Sequence, residues 1–101
     1  MDGHQYQFEW DEVKAASNAR KHGVSFDLAA TIFHDPRLIS LPDLEHSEAE
    51  DRWFSIGLAG NGEMFSVVYR WWQSDPATTT IRLISARPAT ATEVRHYQEM
   101  P

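Results

Sequence analysis

The sequence predicts an α+β fold, and three observations carry that prediction. Residues 11–35 hold two short helical segments separated by a glycine. Residues 53–86 hold three successive strand-like runs. Thr90-Ala91-Thr92-Glu93 then matches a capping box and starts a last helix. A strand before the first helix completes an order of strand, two helices, antiparallel strands and helix. The 101 residues make one domain by size, able to bury a modest core.

Tyr6–Trp10 alternates aromatic and polar residues at period two, as a half-buried strand does. Asp11 caps the next helix and Glu12 complements its positive end. Val13, Ala16 and Ala19 form a thin apolar stripe, with Asn18, Arg20 and Lys21 outside it. Gly23 suits the left-handed closing position, just after the cationic pair Lys21-His22. Ser25 caps a second helix whose Phe26, Ala29, Ala30 and Phe33 share a core face. Asp35-Pro36 ends it.

Arg37–Leu41 is a candidate short strand, and Pro42–Asp51 an acidic loop. Trp53–Leu58, Met64–Trp72 and Thr79–Ala86 are the three stronger strands. Gly60-Asn61-Gly62-Glu63 joins the first two as a turn in which glycine and asparagine supply positive φ. Gln73–Ala77 is read as a loop. Val94 and Tyr97 point inward from the last helix.

Composition narrows the function. The 12 aromatic residues (4 Trp, 3 Tyr, 5 Phe) argue against disorder. Without cysteine there is no disulfide or thiolate chemistry, which fits a cytoplasmic protein. No apolar run is long enough to cross a membrane, and Met1–Gln5 lacks the marks of a signal peptide. The formal charge of −6 is a poor balance for a nucleic-acid binder. The charge is segregated, however. Asp43, Glu45, Glu48, Glu50 and Asp51 concentrate acid in one segment, while Lys14, Arg20 and Lys21 stand together with no acid between them. A local basic surface is therefore compatible with the total.

The order Phe8-Glu9-Trp10-Asp11, Asn18, Lys21-His22-Gly23-Val24-Ser25-Phe26, Ala29-Ala30 and Phe33-x-Asp35-Pro36 resembles the BrnT-like toxins of bacterial type II toxin–antitoxin pairs. The resemblance continues through Glu50–Gly57, Val67-Val68-Tyr69, Ile81–Arg87 and Ala89-Thr90-x-x-Glu93-x-x-x-Tyr97. It covers nearly the whole chain in order. It implies a RelE-like arrangement, two helices on a small antiparallel sheet with a C-terminal helix. It also implies an endoribonuclease that arrests growth, held by a BrnA-like ribbon-helix-helix antitoxin that touches operator DNA on the toxin's behalf. Two features depart from the family's usual pattern. Pro88 follows Ser85-Ala86-Arg87 in place of a basic residue, and Arg70-Trp71-Trp72 replaces a threonine-led strand end.

For the RNA cleavage that the resemblance implies, the residues offer the parts of a metal-free mechanism with no cofactor. The five histidines are scattered, with no metal-ligand spacing. Attack of a ribose 2′-OH on phosphorus needs a base, an acid and cations for the charged transition state. His22 can serve as base or acid because imidazole exchanges protons near neutral pH. Lys21 can neutralise phosphate, Arg82 and Arg87 can clamp it, and Tyr97 can stack a base or donate a proton. These cations are expected to converge in one groove.

Each residue also has a structural reading. Lys21-His22 can simply complement the helix dipole. Arg82 can lie on a solvated strand face or pair with Glu50, and Tyr97 can be a packed aromatic. Arg52 is an antitoxin contact or an edge charge. Trp71 and Trp72 point to opposite faces, one expected in the core and the other as a partner anchor. A second functional reading, favoured by the acidic excess and Pro88, is an antitoxin-binding co-repressor with weak or no catalysis.

Overall fold

The computed structural model describes residues 3–43 and 51–100. Most of the acidic segment, with Glu45, Glu48 and Glu50, lies outside the described residues, and so does the suggested Arg82–Glu50 pair. In chain order the elements are β1 (Gln5–Glu9), α1 (Glu12–His22) and α2 (Phe26–Ala30), which passes directly into a 3-10 turn at Thr31–His34. β2 (Ile39–Pro42), β3 (Trp53–Leu58), β4 (Met64–Asp75), β5 (Thr78–Pro88) and α3 (Ala91–Glu99) follow.

The five strands form one sheet in the order β1-β5-β4-β3-β2. The sheet is mixed, which corrects the antiparallel expectation: β1 runs parallel to β5, with Phe8 opposite Ile81 and Glu9 opposite Arg82. No short hairpin links these two strands, so local alternation carries no signal of their relative direction. The remaining pairs are antiparallel.

Strand alternation gives the sheet two distinct faces. On one face Phe65, Val67, Tyr69, Leu83 and Ala86 meet Phe26, Ala29, Ala30 and Ile32 in the buried core. The expected core face of the second helix is therefore borne out, with Phe33 partly buried against it. The helix itself is shorter than its apolar pattern suggests, because the chain tightens at Thr31. The Thr31 hydroxyl donates to Leu28 O at 2.6 Å and accepts from Gly60 N–H at 2.8 Å, tying this turn to the β3–β4 connection. Gly57 makes the tight packing there possible: a Cβ on it would sit 2.7 Å from Leu38 Cδ1 and 3.0 Å from Ile32 Cβ. α3 covers part of the opposite face, reaching Ser66 and Arg87 through Glu93.

Two turns differ in detail from the sequence reading. In the β3–β4 turn only Gly62 takes a left-handed φ, of 87°. Asn61 instead accepts from Glu63 N–H through its side chain at 3.0 Å. The expected Gln73–Ala77 loop is largely strand: β4 runs on to Asp75, whose carboxylate accepts from Ala77 N–H at 2.8 Å and turns the chain within a few residues. No described helix is long and apolar enough to cross a membrane.

Candidate functional site

Asp11 opens α1 by accepting from Val13 N–H at 2.8 Å and Lys14 N–H at 3.2 Å. Gly23 closes it with φ of 72°, its N–H donating to Ala19 O. These ends fix where Arg20, Lys21 and His22 stand, in the last turn beside the negative end of the helix dipole.

The stripe of Val13, Ala16 and Ala19 is not the inward face of α1, which carries Asn18 and the partly buried Ala15. Val13 is 77% exposed, and Ala16 and Ala19 are exposed too. The buried residue is Asn18, at 7% exposure. Its carboxamide nitrogen donates to Ala86 O at 2.9 Å and Val24 O at 3.1 Å. Its oxygen accepts from Ala86 N–H at 3.0 Å. Beyond Arg82, β1 no longer pairs with β5, and Asn18 supplies the hydrogen bonds a neighbouring strand would make. The sequence offered one pointer to Asn18, its place in the family pattern, and no indication of its role.

This docking brings the end of α1 onto β5 at Ile84 and Ser85. Lys14, Ser17, Lys21 and His22 line a groove of about 200 Å³ with them. A β-bulge falls at the same place. Val68 pairs with Ser85 and Tyr69 with Leu83, so Ile84 is skipped. The bulge has a chemical consequence. Arg82 and Arg87 are an odd number of residues apart and would face opposite sides of a regular strand. With Ile84 skipped they lie opposite Arg70 and Ser66, which share one face of β4. Those partners are four residues apart, so the two arginines bracket Ser85 across roughly 13 Å of sheet.

Both arginines are held by carboxylates. Arg82 pairs with Glu9 at 2.8 Å, with about two-fifths of each side chain exposed. Arg87 grips Glu93 with two bonds, at 2.7 and 2.8 Å. Glu93 also accepts from Ser66 Oγ at 2.8 Å and from Thr90 N–H at 2.9 Å. The Arg87 hydrogen bonds, helped by those from Thr90 and Ser66 and opposed by burial, lower the Glu93 carboxyl from 4.5 to about 2. The hydrogen bond to Glu93 raises Arg87 in turn, against the effect of burial. The sequence marked Glu93 as a helix cap; its bond to Arg87 depends on how α3 meets the sheet.

Tyr97 lies apart from this cluster. It is 8% exposed, and its hydroxyl donates to Asp35 Oδ2 at 2.6 Å. The Arg37 guanidinium sits 5.6 Å from the centre of its ring. Arg52 precedes β3 and is half-buried. Neither tryptophan of the pair is in the core, contrary to expectation: Trp71 is 48% and Trp72 38% exposed. The long β4 carries both past the layer of helices. Trp71 lies on the α2 side of the sheet, in a mostly apolar groove of about 320 Å³ with Tyr6, Phe33, Trp53, Tyr69 and Ile81. Trp72 lies on the opposite face with Arg70 and Arg82. Among the described residues no three His, Asp or Glu side chains group as metal ligands.

A mixed five-stranded sheet with a cationic helix end docked on its bulged strand defines a small α+β protein with a groove lined by Lys14, Lys21 and His22. A family model described as the ribonuclease toxin BrnT of type II toxin–antitoxin systems matches residues 10–93, and the chain belongs to that family. Its fold is similar to the 1.1 Å crystal structure of the Brucella abortus ribonuclease toxin BrnT, with a TM-score of 0.57 and 22% identity. That match covers 86% of this chain and 97% of the Brucella chain. Comparison with curated proteins finds no match.

Proposed function

We propose that the chain is a metal-independent endoribonuclease whose active groove lies where α1 meets β5. The observation that carries this reading is the bulge at Ile84, which turns Arg82 and Arg87 to one face on either side of the Lys21–His22 groove. His22 exchanges the proton of the attacking 2′-OH, and Lys21 neutralises phosphate. Arg87 and Arg82 stabilise the charge that develops on the phosphoryl oxygens. Tyr97 contributes from α3, either as a proton donor or by holding that helix in place. A BrnA-like ribbon-helix-helix antitoxin neutralises the toxin, anchored at Arg52 and in the Trp71–Trp53 groove, and contacts operator DNA itself.

The test is cleavage of RNA by the purified chain in the presence of EDTA. His22→Ala and Arg87→Ala each lower the rate by about a hundredfold or more. Unchanged cleavage in both variants refutes these roles, and cleavage abolished by EDTA refutes metal independence. Pull-down of the neighbouring gene's product tests the antitoxin.

The two ion pairs favour a second reading. Glu9 and Glu93 already neutralise the arginines that phosphate would need, as expected of an antitoxin-binding co-repressor with little catalysis. That reading predicts a tight complex but no growth arrest on expression. Growth arrest lost in His22→Ala counts against it.

A further inference from the structure

We infer that Trp72 is a base-stacking residue and Arg70 its adjoining phosphate contact, together extending the RNA-binding track from the α1–β5 groove along β4. The inference rests on the reading of the chain as a ribonuclease. Ser66, Val68, Arg70 and Trp72 share one face of β4, opposite Arg87, Ser85, Arg82 and Thr80 in register. Charge and aromatic character are therefore arrayed in order along one sheet face. Arg87 comes first, the Ser85 row that borders Lys21 and His22 second, the Arg82–Arg70 row third, and Trp72 last.

α3 covers the face at Ser66, and from Val68, opposite Ser85, to Trp72 the rest of it measures roughly 13 Å at the usual strand rise. That length accommodates a single strand of about two to three nucleotides. Single-stranded nucleic acid is bound by this combination, cations that follow the backbone and an aromatic face on which a base stacks. The indole is 38% exposed although it lies on a strand. Beside it Thr80, between Trp72 and Gln7 in register, is 5% exposed and donates to Ser74 Oγ at 2.9 Å. The tryptophan thus stands on a filled, hydrogen-bonded support. Its neighbour Trp71 faces the other way, into the apolar groove of Tyr69 and Trp53. One dipeptide therefore serves two surfaces, with the RNA side carrying the arginines.

The experiment measures how affinity depends on RNA length. The probes are 2′-O-methyl oligouridylates, which the 2′-OH mechanism cannot cleave, from dinucleotide to hexanucleotide. Wild-type affinity rises about tenfold or more once the oligonucleotide reaches Trp72. Trp72→Ala and Trp72→Leu abolish that rise, while Trp72→Phe retains most of it. The leucine variant keeps an apolar strand residue and guards against misfolding of the alanine variant. Arg70→Ala lowers the slope of log affinity against log salt by about 0.7 for the long probes.

The same length dependence in Trp72→Leu as in wild type overturns the inference while RNA cleavage stands. Loss of antitoxin capture in that variant, with RNA binding intact, assigns the indole to the protein partner and also overturns it. A wild-type chain that neither binds these probes nor cleaves RNA refutes the ribonuclease reading, and the track with it.

Discussion

Asn18 satisfies both backbone groups of Ala86, accepting from its N–H at 3.0 Å and donating to its carbonyl at 2.9 Å. An asparagine side chain here does the work of a strand, and it holds the cationic end of α1 against the bulged part of β5. Removing it leaves buried donors and acceptors without partners, at a cost of 1–3 kcal/mol each when no water reaches them. Asn18→Ala is therefore expected to lower stability by about 2–3 kcal/mol in urea unfolding. Asn18→Asp is similarly damaging, because it aims a carboxylate at the carbonyls of Ala86 and Val24. A loss below about 0.5 kcal/mol in Asn18→Ala contradicts this role.

What was legible in the sequence follows the range of the interaction. Gly23, Ser25, Asp11 and the Thr90–Glu93 capping box act within a few residues, and each does in the fold what its local chemistry predicts. The Phe26, Ala29 and Ala30 face is likewise local, set by helical period. The features that make the site are not. Arg82 meets Glu9, and Asn18 meets Ala86, across most of the chain. Helical period marks Val13, Ala16 and Ala19 as the apolar stripe of α1 and leaves Asn18 outside it, but a helix docked by a polar residue onto a strand edge is oriented by its hydrogen bonds. The bulge at Ile84 is equally invisible locally, because Ile81–Ala86 reads as a regular strand until its partner's register is known.

Glu93 gives the fold an acid-sensitive contact. Its carboxyl titrates at about 2 in the folded chain rather than at its ordinary 4.5. A depressed carboxylate stabilises the native state fully above its unfolded value, and the contribution disappears as pH falls from about 4.5 towards 2. Arg87 is 40% exposed, so solvent screens the pair, and its contribution is about 1–2 kcal/mol at neutral pH. Glu93→Gln is expected to lose that amount at pH 7 and to show a flatter decline in stability between pH 4.5 and 2. Parallel wild-type and variant curves over that window remove Glu93 as the source.

Arg82 separates structure from function more cleanly. Its pair with Glu9 is largely solvated, with side-chain exposures of 40% and 44%, and exposed pairs add little stability. Arg82→Ala should leave stability within about 0.5 kcal/mol of wild type. As a phosphate contact it should weaken RNA binding and reduce the salt slope by about 0.7. Glu9→Gln should act in the opposite direction on affinity, because it releases the guanidinium. Equal RNA affinity in all three proteins removes Arg82 from the site.

Tyr97 poses the reverse case. Its hydroxyl is committed to Asp35, which also accepts from Leu58 N–H at 2.8 Å and Arg37 N–H at 2.9 Å. Burial opposes ionisation of Asp35. The bonds from Tyr97, Leu58 and Arg37 and the nearby Arg37 charge outweigh it, so the carboxyl lies below its usual range. The bond to Asp35, then burial, raises the Tyr97 phenol above its ordinary value. A phenol held more firmly in its neutral form is a poorer proton donor, which weighs against a role as general acid. The same bond joins α3 to the exit of the 3-10 turn and the end of β3. Tyr97→Phe is accordingly expected to cost about 1–2 kcal/mol in thermal or urea unfolding. Below the unfolding transition, kcat/KM for RNA cleavage should stay within about twofold of wild type, well short of the hundredfold loss expected of a general acid. A folded Tyr97→Phe protein with a hundredfold lower rate, and a pH profile missing its basic limb, would return the hydroxyl to the chemistry.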